Sequence, residues 1–420
     1  MASPNVLAAL QQQTWQKTMQ KQLIQRSMWD QLSNRTEQSQ QIPNSKSLKV
    51  MPKAVVISVS DSFDKGTKQT TIPFLGKLNT QGVGGRQKAE GNEETPAMKF
   101  KTVHYQVQRK PIALEDESVD SDLAKFYSIG NQGTPLLTDY FVELTDYNSH
   151  RAALEGADEY LTEDKYWTGD SITSAPVDVS YCPNWYANGA AAKVTYSATY
   201  ATYETSIQTA LNALTTSANK FSLAALDSMV FLASRTLLPL GWNFGGDEVD
   251  WVFMITETQA KELQDSATSN SWQSLMKDAD PRETGEGKNR AISGNIGVYR
   301  RCLIVVNARG PLWTTAGSTG AHIQYIKPWV DDRVQVAKTA PGSGTIELAM
   351  AFGKGALGQA KIKNLRFDEQ MKDYNFNKGV CGMRAEGIER MDFNITSPTG
   401  TSILNQTMLV YSTATPASVL

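Results

Sequence analysis

GTPLLTDYFVELTDYNSHRAALEGADEYLT, residues 133–162, reads as one long helix. Thr134 offers a side-chain oxygen to the first free backbone N–H groups. Pro135 follows where a missing N–H costs nothing and a fixed φ already suits a helix. Leu137, Tyr140, Leu144, Tyr147, Leu154, Ala157 and Leu161 recur at steps of three, four or seven, so they share a face, with Asp139, Glu143, Asp146 and Arg151 mostly elsewhere. Unbroken to Thr162, the helix is roughly 40 Å long at about 1.5 Å per residue. Gly156 is its weak point, because a glycine inside a helix costs up to about 1 kcal/mol relative to Ala and can end or bend it there. Taken alone, this segment also fits the core helix of an ordinary enzyme.

Upstream of the helix the chain changes character twice. Residues 1–47 are rich in Gln, Ser and Asn, with apolar positions at Trp15, Met19, Leu23, Met28, Trp29 and Leu32, of which Trp15, Met19, Leu23 and Leu32 suit a sparse helical stripe. So little apolar mass cannot stabilise a separate fold, and the segment is expected to order only against another body; its composition equally fits a disordered tail. From Lys53 to Ala113 the pattern is strand. KAVVISVS and MKFKTVHYQVQ are the β-rich runs, the second with Val103, Tyr105 and Val107 on one side and His104, Gln106 and Gln108 on the other. Between them TTIPFLGKL leads into NTQGVGGRQKAEGNEE, where Gly82, Gly84, Gly85 and Gly91 mark turns in an open loop. A two-stranded ribbon is marginal alone in water, so this hairpin is expected to pack on a neighbouring subunit; a strand pair on the chain's own sheet is the alternative.

Downstream, residues 163–215 form a Tyr-, Ser- and Thr-rich insertion with two or so strands. Ser222 then caps LAALDSMVFLASRTL, a helix whose polar residues Asp227, Ser228, Ser234 and Arg235 leave most of its circumference apolar and therefore buried. Val249 to Thr256 is a short apolar strand, followed by a helix with Ala260 and Leu263 and a further turn at Trp272, Leu275 and Met276. GNIGVYRRCLIVVNARGP, TIELAMAF and VCGMRAEGIERMDFNITSP supply more strands, so the class is α+β.

Composition narrows the function. The 41 Lys and Arg against 43 Asp and Glu leave a net charge of −2, which does not suit a surface built to neutralise a phosphate backbone. Cys182, Cys302 and Cys381 are far apart and odd in number, which fits neither a disulfide framework nor a zinc cluster. No run of about 18 apolar residues occurs, and no apolar leader with a cleavage site opens the chain, so a soluble, unexported protein is expected. Gly353, Gly355 and Gly358 match G-x-G-x-x-G, with Asp373 beyond, and would serve a nucleotide-dependent enzyme. QAKIKNLRFDEQ, however, lacks the helical period that motif requires. His104, His150 and His322 are isolated from each other and from the cysteines, so no metal site is expected. Glu93–Glu94 and Asp331–Asp332 solvate loops, and no G-x-S-x-G is present. Neither catalytic residues nor a cofactor is expected. The Tyr-rich insertion leaves room for a surface adhesin or lectin.

The order of the parts is informative. A polar arm, a hairpin with a glycine-rich end containing GVGGRQKAEGNEE, a long helix, further helices and strands including GNIGVYRRCLIVVNARGP, and a closing strand segment together resemble the major capsid protein of tailed bacteriophages, with its Hong Kong 97-like fold, over nearly the whole chain. The resemblance implies an N-terminal arm (1–47), an extended β-hairpin loop (48–115), a peripheral domain with a spine helix (116–162), an insertion outside the simplest family pattern (163–215), an axial domain (216–374) and a return to the peripheral domain (375–420). It implies a structural subunit that assembles with itself, as hexamers and pentamers, into the icosahedral head shell around double-stranded DNA, without sequence-specific contacts and without a membrane. Scaffold, portal and decoration proteins are the further partners implied, with synthesis in the bacterial host cytoplasm and residence in the virion. The spine helix would carry Leu137, Tyr140, Leu144, Tyr147, Leu154 and Leu161. The loop would contact neighbours through Phe74, Leu75, Gly82, Arg86, Lys88, Glu90, Glu93, Glu94, Phe100 and Tyr105. The apolar members of that set would supply most of the energy, since an exposed ion pair is worth only about 0–1 kcal/mol.

Overall fold

A computed structural model describes residues 28–32, 54–59, 69–75, 83–85, 88, 90, 91, 93, 98–114, 129–158, 160, 185–188, 214, 219–244, 247–265, 295–307, 309–316, 320–329, 345–372, 377–391, 394–396, 403–405 and 407–415. In chain order the first elements are α1 (Met28–Leu32), β1 (Val56–Val59), β2 (Gln69–Leu75), β3 (Met98–His104), β4 (Gln106–Leu114) and α2 (Ile129–Glu155). Next come β5 (Trp185–Ala187), α3 (Leu223–Thr236), β6 (Trp242–Phe244), β7 (Asp247–Val249), β8 (Trp251–Thr256) and α4 (Glu257–Asp265). The remainder is all strand: β9 (Asn295–Tyr299), β10 (Cys302–Asn307), β11 (Leu312–Ala316), β12 (Gly320–Gln324), β13 (Thr345–Phe352), β14 (Leu357–Lys372), β15 (Asn377–Arg390), β16 (Asn394–Thr396), β17 (Ile403–Asn405) and β18 (Met408–Thr415).

Two sheets organise the molecule. In the eight-stranded sheet β13 is central. It pairs along its whole length with β18 on one edge and with β11 and β8 on the other, while β10 lies parallel to β8 and β5 parallel to β18. Its strands β8 and β10 are apolar up to their last residue because both faces are covered, and period two sorts the side chains of the sheet between two cores. Val252, Met254, Leu303, Val305, Leu348, Met350, Phe352, Met408 and Val410 face a core shared with α2. Their neighbours Trp251, Phe253, Ile255, Cys302, Ile304, Ala349, Ala351, Leu409 and Tyr411 face α3 and α4. The second sheet has the order β1-β14-β15-β4, with the long β14–β15 hairpin at its centre, and α2 packs on it. Leu137, Phe141, Leu144 and Leu154 of α2 are fully buried, each contributing about 1.5–3 kcal/mol by leaving water.

The long helix differs from its expected form at both ends. It starts at Ile129, so Thr134 is not its cap and Pro135 lies inside it. The proline forfeits only the bond to the Asn131 carbonyl, a small loss so close to a helix end. At the other end Gly156 adopts φ +97 and donates its N–H to the Ala152 carbonyl. The helix stops there, as a glycine in the left-handed region allows. Ala157 then bridges to Glu389 of β15, and the Asp158 N–H reaches the Ile388 carbonyl. Leu161 and Thr162 lie outside the described residues.

Four further expectations are corrected. The polar arm is not wholly dependent on another body, because Met28, Trp29 and Leu32 of α1 are buried in the core of their own subunit. Tyr105 separates β3 from β4, so the alternation inverts across it: Val107 is 55% exposed while Gln108 is buried. Helix α3 buries one face only, through Ala225, Leu226, Met229 and Ala233, leaving Phe231 54% exposed. The boundary expected at 374/375 falls inside the β14–β15 hairpin. The chain passes from one sheet to the other between Phe352 and Leu357, and β18 returns to the eight-stranded sheet. Among the described residues no helix is long and apolar enough to cross a membrane.

Candidate assembly surface

The hairpin β2–β3 is anchored at its base and open at its end. Ile72 and Val103, buried cross-strand near-neighbours, form a small core with Ile57, Ala360 and Met391. Gly358 lies beneath them, and a Cβ there would sit 2.6 Å from Met391 Sδ and 2.9 Å from Val103 Cγ2. Where β3 ends the chain crosses β15 at Gly387, so closely that a Cβ on that glycine would lie 1.9 Å from the His104 carbonyl oxygen. The buried Glu389 carboxylate pins the crossing: its Oε1 accepts the His104 N–H at 2.9 Å and lies 2.7 Å from His104 Nδ1.

The other end of the hairpin touches nothing of its own subunit in its described glycines. Val83, Gly84, Gly85, Lys88, Glu90, Gly91 and Glu93 are exposed. A Cβ built on Gly84, Gly85 or Gly91 would meet no atom within 4 Å. Gly85 and Gly91 have φ +64 and +89, conformations that favour glycine and account for two of the four tip glycines. Gly82, Arg86 and Glu94 lie outside the described residues, as do the side chains of Phe74, Leu75 and Phe100. Those three backbones pair within the ribbon, Phe74 with Lys99, Leu75 with Met98 and Pro73 with Phe100. Tyr105 is half-buried against the small core at the base, so it belongs to the anchor and not to the tip.

Of the long-helix residues, Leu137, Leu144, Tyr147 and Leu154 are buried and Tyr140 is half-buried beneath the Lys110 ammonium. The helix joins the two sheets through polar groups the sequence did not single out. His150 is buried, its Nε2 lies 2.7 Å from Asn307 Nδ2 of β10, and its ring meets Trp29 of α1 edge to face at 5.4 Å. Burial pushes the His150 pKa down to about 4, although the Asp146 backbone acts the other way. Arg309 pairs with Glu143, two turns before His150 on the same face. At the end of the helix the buried Arg390 donates through Nη1 to the Ala153 and Leu154 carbonyls, a cation where the helix dipole favours one. Toward the four-stranded sheet Arg384 reaches Thr145 Oγ1, Gln108 Oε1 and Glu386. Arg384 and Gln108 are 276 residues apart, a separation no motif spans.

The glycine loop of β13–β14 has a structural reason at every glycine. A Cβ at Gly353 would lie 2.6 Å from the Leu238 carbonyl oxygen, Gly355 has φ +68, and Gly358 makes room for the hairpin base. The loop turns one strand into another, so no helix N-terminus is present to hold a pyrophosphate. Among the described residues no group of three or more His, Cys, Asp or Glu could hold a metal ion. Burial pushes the Cys302 thiol well up from its usual value, which makes it inert as a nucleophile. The described part of the insertion is tied to the core: β5 pairs with β18, and buried Trp185 donates to Ser412 Oγ at 2.7 Å.

The described surface offers other contact features. Arg235 lies over the exposed Phe231 ring at 4.4 Å, and Leu136 and Trp329 are 61% and 43% exposed. A helical wheel drawn through Ala225, Leu226, Met229 and Ala233 puts Phe231 on the opposite side, so this surface residue was readable. The β9–β10 turn holds Arg300 and Arg301 at φ 46 and 67, fixed by ion pairs to Asp227 at 3.0 Å and to Asp250 at 2.9 Å. Non-glycine residues there cost roughly 1–2 kcal/mol each.

Solved structures that this fold resembles include phage capsids. The capsid of Ralstonia phage GP4 superposes with a TM-score of 0.57 at 13% identity, covering 86% of this chain and 87% of that one. For the capsid of cyanophage Pam1 the TM-score is 0.57 at 16% identity, with 94% and 93% covered. The capsid of Helicobacter pylori bacteriophage KHP30 gives 0.53 at 11% identity, with 93% and 91% covered. No curated protein matches the chain by sequence. A family model described as phage capsid protein matches residues 18–417, a span that takes in both sheets, the hairpin and the long helix, and the chain therefore belongs to the phage capsid protein family.

Proposed function

We propose that the hairpin Gln69–His104 is the clamp by which this capsid subunit holds a neighbouring copy in the phage head shell. The observation that carries the reading is the contrast along one ribbon: a base locked on its own sheet at Gly387 and Gly358, and a tip exposed at every described position. An isolated ribbon is marginal in water, and a tip mixing glycine with Lys88, Glu90 and Glu93 suits a wet contact better than a core. Contacts of this kind are heterologous, and repeated they close into rings and then a shell. The two sheets with their helices form the axial and peripheral bodies of the subunit, with the change of body near Gly353–Ala356. The subunits form hexamers and pentamers around double-stranded DNA, which is retained by enclosure rather than by sequence-specific contacts, as the near-neutral charge allows. Scaffold, portal and decoration proteins are the further partners, synthesis takes place in the bacterial host cytoplasm, and the role is architectural rather than catalytic.

Deleting Thr80–Glu94 and closing the gap with a short turn tests the clamp. A soluble, helical subunit that forms no shells, or shells of lowered thermal stability, is expected by sedimentation and negative-stain microscopy. A subunit that unfolds outright would assign the tip to the core of its own chain, and shells of undiminished stability would end the clamp reading.

A further inference from the structure

Five buried polar atoms between α2 and the four-stranded sheet have no hydrogen-bond partner among the described residues: Gln108 Nε2, Gln359 Oε1, Arg384 Nη2, and both Nδ2 and Oδ1 of Asn148. Their residues are 1%, 2%, 4% and 0% exposed. They belong to one seam. Gln359 Nε2 donates to Glu386, Glu386 pairs with Arg384 at 3.0 Å, Arg384 Nε donates to Gln108 at 2.7 Å, and Arg384 Nη1 reaches Thr145 of the helix at 2.6 Å. Asn148 is three residues beyond Thr145, which places it on the same helical stripe, facing the same sheet.

Reversing the amides does not cure the seam. Turning Gln359 would set its oxygen against the Glu386 carboxylate, and turning Gln108 would set its NH2 against the Arg384 guanidinium. Native interiors rarely leave such groups unmet, and when they do a bound small molecule is the common answer. The signature of this set is three donors and two acceptors around an ion pair that is already neutral. An anion would satisfy the donors and be repelled by Glu386 and the two amide oxygens; a cation would meet Arg384. Water donates and accepts at once. We propose that the seam between α2 and the sheet is a built water site, holding about two ordered waters if each makes roughly three hydrogen bonds.

The test uses the full chain in two readouts. Magnetic relaxation dispersion of the soluble subunit, or a shell map sharp enough to show solvent, should reveal long-lived waters within hydrogen-bond reach of Gln108, Gln359, Arg384 and Asn148. The Asn148→Leu variant, which keeps the number and branching of the side-chain heavy atoms and puts methyls in place of the amide, supplies the sign. In a hydrated seam it removes two satisfied groups, so Tm stays level or falls; in a dry seam it removes two unsatisfied ones, so Tm rises by several degrees. Should Asn148→Leu fail to fold, the solvent readout on the unsubstituted chain decides alone. A raised Tm, or solvent-free density in the seam, overturns the proposal.

Discussion

Gly387 admits no other residue without movement of the backbone beside it. The obstacle to a Cβ is the His104 carbonyl oxygen at 1.9 Å, with Tyr105 Cα at 2.8 Å, and neither is the end of a flexible side chain. Gly387→Ala should therefore cost about 1–3 kcal/mol or more as an overpacking change, and it should loosen the hairpin from its base. Chemical denaturation measures the first, and proteolysis at the hairpin the second. His150 gives a second expectation. Its pKa is about 4 in the fold against about 6.5 in an unfolded chain. As pH falls the unfolded chain takes up the proton first, so this contribution is complete above about 6.5 and is lost toward 4. The loss amounts to about 3 kcal/mol at 1.36 kcal/mol per unit. In His150→Gln that slope between pH 6.5 and 4 should flatten, read as Tm against pH. Glu347, whose burial raises its carboxyl pKa, acts in the opposite sense as pH rises from the carboxylate range, and the difference between wild type and variant cancels it. Sequence spacing could not have found either site, since Gly387 meets a backbone from β3 and His150 meets a strand 157 residues away.

At the scale of elements, the long helix was legible because its apolar spacing runs for several turns, and Gly156 correctly marked where it ends. Its start was not legible: Ile129–Gly133 has no apolar period, and Pro135 offered a plausible first position that neighbouring turns overrode. The strand MKFKTVHYQVQ misled for a local reason. One continuous strand puts Val103 and Val107 on the same side, but the crossing at Gly387 breaks it at Tyr105 and turns Gln108 inward to Arg384. Helix α1 yielded least, since a five-residue element leaves no periodicity to read. Trp29 nevertheless lies against His150 and Phe352 at 5.4 and 5.2 Å. Trp29→Ala should cost about 3–5 kcal/mol in subunits verified as unassembled by sedimentation; a cost seen only in shells would mean that α1 docks after assembly.

At the scale of the molecule, the class α+β and the order of parts could be read, but the allotment of strands to sheets could not. Only four residues part TIELAMAF from the β14 run, and although Gly353 and Gly355 mark a turn there, nothing announces that the chain changes sheet. The consequence is testable with fragments. Residues 216–374 expressed alone would lack β18, which pairs with all eight residues of β13, and would hold one strand of the β14–β15 hairpin without the other. That fragment should aggregate. A chain of residues 216–352 with 408–415 joined by a flexible linker should give more soluble, protected material by hydrogen exchange, and equal behaviour of the two would count against β18 as the strand that completes this sheet.

The late position of β18 also sets a clock. Ribosomes add about 5–20 residues per second, and 55 residues separate Phe352 from Met408. For roughly 3–11 s, at that rate, β13 is made while the strand that covers one of its edges has not begun. A nascent chain in that interval has an open edge in the middle of its future sheet, and a product of interrupted translation keeps it permanently. Only chains translated through Thr415 can close the sheet, so the fold itself screens truncated copies from the pool that builds the shell.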